Sequence, residues 1–307
     1  EFDLNILHDN YPILNDVTET DNEIVITGKD FEIIFSKQTA TMDSWTFQGK
    51  NILLRGPKPN FWRTPTDNDF GNDMPKRMAV WKHATDEAQV NEIKVDNYDT
   101  SVGIEVFYNF PSVESMGSIL YVIYGDGRIL VYNKFEIEKG TLPNMPKVGI
   151  SMQIPKEFDA MTWFGRGPHE NYLDRKSSAK VDIYSGKVSD QFHPYVRPQE
   201  SGNKTDVRWA TFRNVDGDGL LVRGLLSLNA SHYLQEDYDH GFGEMKSGAT
   251  GNIKTTKQQR HSIDMVERDL INLDIDLVQM GLGGEDSWWA QPLEKYQIKP
   301  KSYDYSF

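Results

Sequence analysis

Val102-Gly103-Ile104-Glu105-Val106-Phe107-Tyr108-Asn109-Phe110 sets an apolar residue at every second position: Val102, Ile104, Val106, Tyr108 and Phe110. Successive side chains of a strand point to opposite faces, so this alternation describes a half-buried strand. Strand signals recur on both sides at a spacing of about ten residues. Toward the N-terminus they are Ile24–Ile26, Phe31 with Ile33–Phe35 across the turn Gly28-Lys29-Asp30, Trp45–Phe47 and Ile52–Leu54. Toward the C-terminus they are Ile119–Tyr124, Ile129–Ile137, Val148–Ile154 and Leu220–Leu228. Last comes a run in which Ile271, Leu273, Ile275 and Leu277 alternate with Asn272, Asp274 and Asp276. Asp126-Gly127, between two such runs, is a hairpin signal. Many short strands, little helix and frequent turn residues predict an antiparallel all-β chain. Composition does not separate a sandwich from a barrel.

Three stretches depart from that pattern. Met74, Met78 and Trp81 fall at helical spacing, with Asn72 or Asp73 as a cap and Pro75 in the first turn. This predicts one short helix over 73–83. Residues 155–206 are rich in Gly, Pro, His and aromatics and hold few clean strands, which marks a functional or interface-forming stretch. Residues 1–21 are polar without periodicity and read as a linker or the tail of a preceding domain, leaving 22–307 as the domain proper.

Composition narrows the classes. With 307 residues, 38% apolar and 26% charged, the chain can bury a sizeable core and is not expected to be disordered. Its net charge of −13 opposes binding to nucleic acid phosphates. There is no cysteine, hence no disulfide framework, thiol nucleophile or cysteine metal site, and an exported location, periplasmic or extracellular, is favoured over the cytoplasm. No apolar run reaches 18 residues, so no membrane-spanning helix is expected. The start Glu1-Phe2-Asp3 lacks an initiator Met and reads as a processed or excised end.

Chemistry concentrates in Asn60-Phe61-Trp62-Arg63-Thr64-Pro65-Thr66-Asp67-Asn68-Asp69-Phe70-Gly71-Asn72. Pro65 fixes its own φ, the Asp and Asn side chains can bond nearby amides, and Gly71 permits a reversal or a close approach to a ligand. One reading is an ordered loop whose carboxylates cap backbone N–H groups; the other is a polar pocket facing a hydroxyl-rich ligand. Three further segments are as dense: Trp163-Phe164-Gly165-Arg166-Gly167-Pro168-His169-Glu170-Asn171-Tyr172 with Asp174-Arg175, Pro194-Tyr195-Val196 with Pro198, Glu200 and Gly202, and Gly281 with Gly283-Gly284-Glu285-Asp286-Ser287-Trp288. Together and in this order, the four segments resemble the C-terminal, small-chain domain of large bacterial β-galactosidases, and the resemblance runs from about residue 22 to the end.

The resemblance implies a large two-sheet supersandwich similar to galactose mutarotase. It further implies that Trp288 lines a galactose pocket and that Asp69, Phe70, Gly71 and Asn72 begin a mobile loop at its mouth. Glu285 departs from the family, where Asp is more usual. Retaining glycoside hydrolysis needs two carboxylates about 5 Å apart. In the family these lie on a (β/α)₈ barrel, and this chain has no βα alternation to build one. No catalytic residue is therefore expected here. The resemblance implies a barrel domain as partner, a β-galactoside or galactose as ligand, and Mg²⁺, Na⁺ and a homo-oligomer for the complete enzyme, with no metal assigned to this segment.

Other constellations have plainer readings beside the functional ones. His169 with Glu170 could form an acid/base centre, but the surrounding glycines and arginines favour loop anchoring. Glu200 with His193 raises a mutarotase-like base and acid, against a supporting role among Pro194, Pro198 and Gly202. Asn214-x-Asp216-x-Asp218-Gly219 mimics a calcium loop, but its last ligand position holds Leu225, so it reads as a hairpin turn. A free-standing aldose mutarotase and a carbohydrate-binding module stand as alternatives.

Overall fold

The computed structural model describes residues 11–137, 141–238, 261–286 and 290–307. In chain order the strands begin with β1 (Asp16–Glu19), β2 (Glu23–Thr27), β3 (Phe31–Ser36), β4 (Thr41–Phe47), β5 (Lys50–Asn51) and β6 (Arg55–Asn60). Helices α1 (Asp67–Gly71), α2 (Met74–Arg77) and α3 (Ala79–Asp86) follow, then β7 (Gln89–Tyr98), β8 (Ser101–Phe110), β9 (Ser115–Tyr124) and β10 (Ile129–Ile137). The chain continues through β11 (Lys147–Ile154), β12 (Ala160–Gly167), β13 (Lys180–Lys187), β14 (Lys204–Arg213), β15 (Gly219–Ser231) and β16 (Ile271–Gln279), ending with β17 (Tyr303–Ser306). The protein is all-β, and the pairings throughout the two five-stranded sheets and along β13-β12-β14-β15-β16-β11 of the seven-stranded one are antiparallel.

Two compact units divide the chain. The first takes residues 1–58, 87–140 and 301–307. It holds two five-stranded sheets, ordered β1-β2-β3-β4-β5 and β17-β10-β9-β8-β7. Their inner faces meet where Phe35 and Tyr121 pack edge-on at 5.5 Å and Tyr108 donates its hydroxyl to the Ala40 carbonyl at 3.2 Å. The alternation in β8 does what its period requires: Val102, Ile104, Val106, Tyr108 and Phe110 are all buried, while Asn109 is exposed. The Asp126-Gly127 hairpin joins β9 to β10, with Gly127 at φ +84° donating to the Tyr124 carbonyl at 2.8 Å.

Two differences from expectation occur in this unit. Residues 16–19, inside the stretch expected to be linker or tail, form β1 and pair with β2 from Asp16↔Thr27 to Glu19↔Ile24. β7 has no counterpart among the expected strands. Both are edge strands with mostly exposed residues, so neither carries an apolar period to read.

The second unit takes residues 59–86 and 141–300. Its seven-stranded sheet runs β13-β12-β14-β15-β16-β11-β6. The single helix expected over 73–83 is two, α2 and α3, which part at Met78, and α1 precedes them within the stretch read as a loop. Asp73, at φ +57°, separates α1 from α2, and Pro75 begins the next turn. α3 buries Trp81, whose indole donates to the Pro143 carbonyl at 3.1 Å and packs on Phe61 at 6.1 Å. The stretch 155–206 contains two full strands, β12 and β13. Glycines hide the first: at Gly165 a Cβ would lie 2.8 Å from Val207 Cα, beside an irregularity in β14, so the strand needs residues that break its apolar pattern. Asn214 closes the β14–β15 hairpin by accepting from the backbone N–H groups of Asp216 and Asp218 at 3.0 and 3.1 Å.

Candidate functional site

β16 carries a surprise. Alternation of Asn272, Asp274 and Asp276 with Ile271, Leu273 and Ile275 predicts a solvated polar face, yet all six residues are buried. Two carboxylates cannot sit two residues apart in a core without a counter-charge. Lys147, on neighbouring β11 and 2% exposed, supplies it at 2.8 Å from Asp274 Oδ2 and 3.5 Å from Asp276 Oδ2. Burial pulls the Lys147 ammonium down, but the two aspartates together outweigh it and hold it above the ordinary lysine value. Asp276 is pushed up by burial, against the pull of Lys147. Neither of its oxygens meets a hydrogen-bond donor, and the absence of a side chain at Gly149 makes room for them.

Over this charged row lies a small polar recess with a cavity volume of about 20 Å³. Its lining includes Thr64, Glu200, Asn229, Tyr233, Tyr238 and Asp274. Glu200 is 8% exposed, and Asn229 Nδ2 donates to its Oε1 at 2.9 Å, with the Tyr172 hydroxyl at 3.4 Å. Burial is the main cause that raises its carboxyl to about 7; Lys147 pulls it back and Asp274 adds to the rise. Nearby Lys204 is pulled down to about 8 by burial, its ammonium donating to the Gly202 carbonyl at 2.8 Å.

The loop 60–72 closes on itself. Arg63 and Asp69 are both 0% exposed, and the Nη2 amino group of Arg63 donates to both carboxylate oxygens, at 2.8 and 2.9 Å. Asp69 also accepts from Thr66 N at 2.9 Å while Thr66 Oγ1 accepts from Asp69 N at 3.2 Å, the reciprocal cap of α1. The second amino group of Arg63 donates to the Met280 carbonyl at 2.7 Å. Asn72 is buried and accepts twice from Arg77, at 2.8 Å through its carbonyl and 2.7 Å through Oδ1. Phe70 is half-buried under the Arg197 guanidinium, 5.4 Å from the ring centre, and Gly71 is half-buried with open space where a Cβ would stand. Every described hydrogen bond of Asp69 lies within this loop, the reciprocal cap with Thr66 and the pair with Arg63.

Four segments remote in sequence are stitched together here. Asp67 exchanges hydrogen bonds with Gln199, 3.0 Å each, and pairs with Arg197 at 3.2 Å. Glu170 accepts from Gly202 N at 2.8 Å and binds Arg175 and the Tyr195 hydroxyl. Asn171 Oδ1 accepts from Thr205 N at 2.8 Å. Asp174 accepts from the backbone N–H groups of Leu282 and Gly283 at 3.0 and 2.8 Å. At Gly284, φ +92°, a Cβ would stand 2.4 Å from Asn68 Nδ2, so this loop lies directly against α1.

The remaining candidates are apart from the recess. His169 pairs with Ser178 Oγ at 3.0 Å, and exposed His193 packs edge-on against Tyr195 at 4.3 Å; neither lines it. Trp288 lies outside the described residues. Sequence reading passed over Lys147, Asn229, Asp274 and Asp276. The available signal was a strand whose polar positions hold only short side chains, Asn and Asp, with none of the long Lys, Arg or Glu that populate wet faces. Among the described residues no group of three or more His, Asp or Glu side chains is arranged to hold a metal ion, and Asp274 and Asp276 are taken up by Lys147.

The model of the family described as beta galactosidase small chain matches residues 27–307. A β-galactosidase of Priestia megaterium is 34% identical over 297 residues, covering 95% of this chain and 27% of that protein. One of Halalkalibacterium halodurans is 28% identical over 289 residues, covering 92% and 27%. The chain thus spans about a quarter of the length of these curated relatives. Among solved structures, galactose 1-epimerase from Lactobacillus acidophilus NCFM aligns with a TM-score of 0.39 and 10% identity, covering 94% of this chain and 95% of that one.

Proposed function

The chain belongs to the β-galactosidase small-chain family, and from that premise we propose that it is the C-terminal part of a retaining β-galactosidase whose catalytic glutamates lie on a barrel domain outside these residues. Its role in hydrolysis of terminal β-D-galactosides is to complete the sugar pocket. Trp288 offers a flat apolar face to the sugar ring, and the segment Asp69–Asn72 shapes the mouth. The observation that carries this reading is the convergence of the four motif segments: the loop leading to Trp288 is held by Asp174 on one side and abuts Asn68 of α1 on the other. The buried carboxylates of this chain are poor candidates for the catalytic pair. Asp274 and Asp276 are bound to Lys147, whereas a retaining pair needs a free nucleophile and an acid flanking the scissile bond.

The test is direct. The purified chain should leave β-galactosides intact, and an antibody raised to it should detect a native polypeptide several times larger than 35.2 kDa. Cleavage by the pure chain, unaffected by Trp288→Ala, would sink the proposal.

A mutarotase-like reading is favoured by one observation, a protonatable Glu200 at the edge of a polar recess. Among the described residues it has no histidine acid partner at that recess. Polarimetry on fresh α-galactose separates the two: acceleration abolished by Glu200→Gln would establish ring opening, and an unchanged rate would remove it. Titration with galactose tests a carbohydrate-binding module in the same way, since a single pocket wall should give no measurable affinity alone.

A further inference from the structure

We propose that the outward face of β13, β12, β14 and β15 is a docking surface for another domain of the complete polypeptide; the inference rests on the reading of this chain as part of a larger enzyme. It starts from a row of side chains in cross-strand register. Ile183 on β13 stands opposite Phe164 on β12, Phe164 opposite Trp209 on β14, and Trp209 opposite Arg223 on β15. Directly opposed residues of an antiparallel pair share a face, so the row crosses four strands on one side of the sheet. Val181 and Leu221 are two positions along from Ile183 and Arg223 and belong to the same face. The alternate residues Trp163, Ala210 and Val222 point the other way and are buried. The row itself is open: Ile183 is 58% exposed, Leu221 52% and Val181 38%, with Phe164 and Trp209 half-buried between them. Apolar residues exposed singly are ordinary, but aliphatics joined through two aromatics form a patch of the kind that marks an interaction site.

Chemistry and area select the occupant. The Phe164 and Trp209 rings are 6.4 Å apart and inclined at 46°, and the Arg208 guanidinium lies over Phe164 at 5.4 Å. Tilted rings partly covered by arginine offer no flat platform to a sugar, whereas aromatic residues with arginine are the composition of protein interface cores. Arg208 and Arg223 are both exposed, so the occupant is a protein surface with an apolar centre and carboxylates beside it. Four strands at about 4.8 Å, along five residues at about 3.4 Å each, make a patch of roughly 300 Å². Matched by an equal area, this gives roughly 600 Å² in total, below the roughly 1,200 Å² of a stable interface between separate molecules but within the range of interfaces between domains of one chain. Tethering supplies the effective concentration that so small an area requires. A second copy is disfavoured further by the repulsion between two chains of net charge −13. The relatives supply the room for a tethered occupant, since this chain spans only about a quarter of their length.

The experiment uses the complete polypeptide that carries this chain. A photoreactive benzoylphenylalanine replaces Ile183, or Leu221 in a second preparation, and irradiation is followed by peptide mapping. The expected product runs at the mass of one polypeptide and joins position 183 or 221 to a peptide outside these 307 residues. Ile183→Asp is expected to abolish the cross-link from position 221, because a covered apolar face does not accept an unpaired carboxylate. Val215→Asp, on the fully exposed turn between β14 and β15, should leave it unchanged. Should Ile183→Asp fail to fold, Leu221→Asp read with the probe at position 183 decides in its place. A product of doubled mass assigns the face to a second copy, and a link within these 307 residues, or none, leaves no other domain upon it; each overturns the proposal. A cross-link that survives Ile183→Asp overturns it as well. If the antibody detects only a native polypeptide of 35.2 kDa, the reading of this chain as a part fails first and takes the inference with it. A larger polypeptide without the expected product leaves that reading standing and removes the docking face alone.

Discussion

Asp69 and Glu200 show how far residue type underdetermines role. Both are acids in motif segments, and both are buried, but their partners differ. Asp69 has Arg63 on both oxygens, and neither residue is exposed to water. Removing Arg63 strands a buried carboxylate, so Arg63→Ala is expected to cost about 3–5 kcal/mol in urea unfolding, and Arg63→Lys should restore only part of the loss because one ammonium does not replace two amino groups that hold Asp69 and the Met280 carbonyl at once. Glu200 lacks such a partner and is held at about 7 by burial. An acid raised above its unfolded value binds its proton more tightly when folded. Stability contributed this way is present at low pH and is lost as pH rises from about 4.5, the ordinary value, through about 7. Glu200→Gln should therefore match the parent near pH 4 and exceed it in melting temperature near pH 8; equal curves at both would refute the assignment. Gly71 offers a contrasting case. Open space surrounds its missing side chain, and its backbone is outside the left-handed region. Gly71→Ala should be neutral or stabilising by up to about 1 kcal/mol in the folded chain; if the segment moves on ligand binding, the change will be seen in kinetics of the complete enzyme and not in melting.

Among the elements, β8 and β16 display the same alternation and reach opposite outcomes. In β8 the polar half faces outward. In β16 it faces Lys147 on β11, and the strand is buried on both sides. A strand of this kind is held in register by charge as well as by backbone pairing: Ser151↔Asp274 and Gly149↔Asp276 set the aspartates beside the lysine. Lys147→Met should lower stability by about 3–5 kcal/mol at neutral pH, with the deficit shrinking in acid as Asp276, whose carboxyl burial pushes up, takes up its proton. Denaturant titrations at pH 7 and pH 4.5 check the sign. Gly149→Ala should be comparably damaging, since its Cβ would fall 1.7 Å from Asp276 Oδ1. The short helices make a related point. Spacing of Met74, Met78 and Trp81 placed helix in the right stretch, with Asp73 at its start, but the chain leaves helical geometry at Met78, φ −111° and ψ 10°, and divides it into α2 and α3.

Across the whole molecule, the sequence by itself determined the all-β class, most of the strands and the family, because apolar period and motif order are local properties written along one chain. Edge strands β1 and β7 escaped, since a strand with two wet faces has no period. The glycine-bearing strand β12 escaped because close backbone approach selects against the side chains that would announce it. Tertiary structure alone decided which carboxylates are anchors, which is raised toward neutrality, and which holds a loop. Those properties depend on distances between residues more than a hundred positions apart, such as Lys147 to Asp274, Asp174 to Leu282 and Arg63 to Met280. A carboxylate's energy follows the charge and water within a few ångströms of it, and the fold, not the neighbouring residue in sequence, sets what is there.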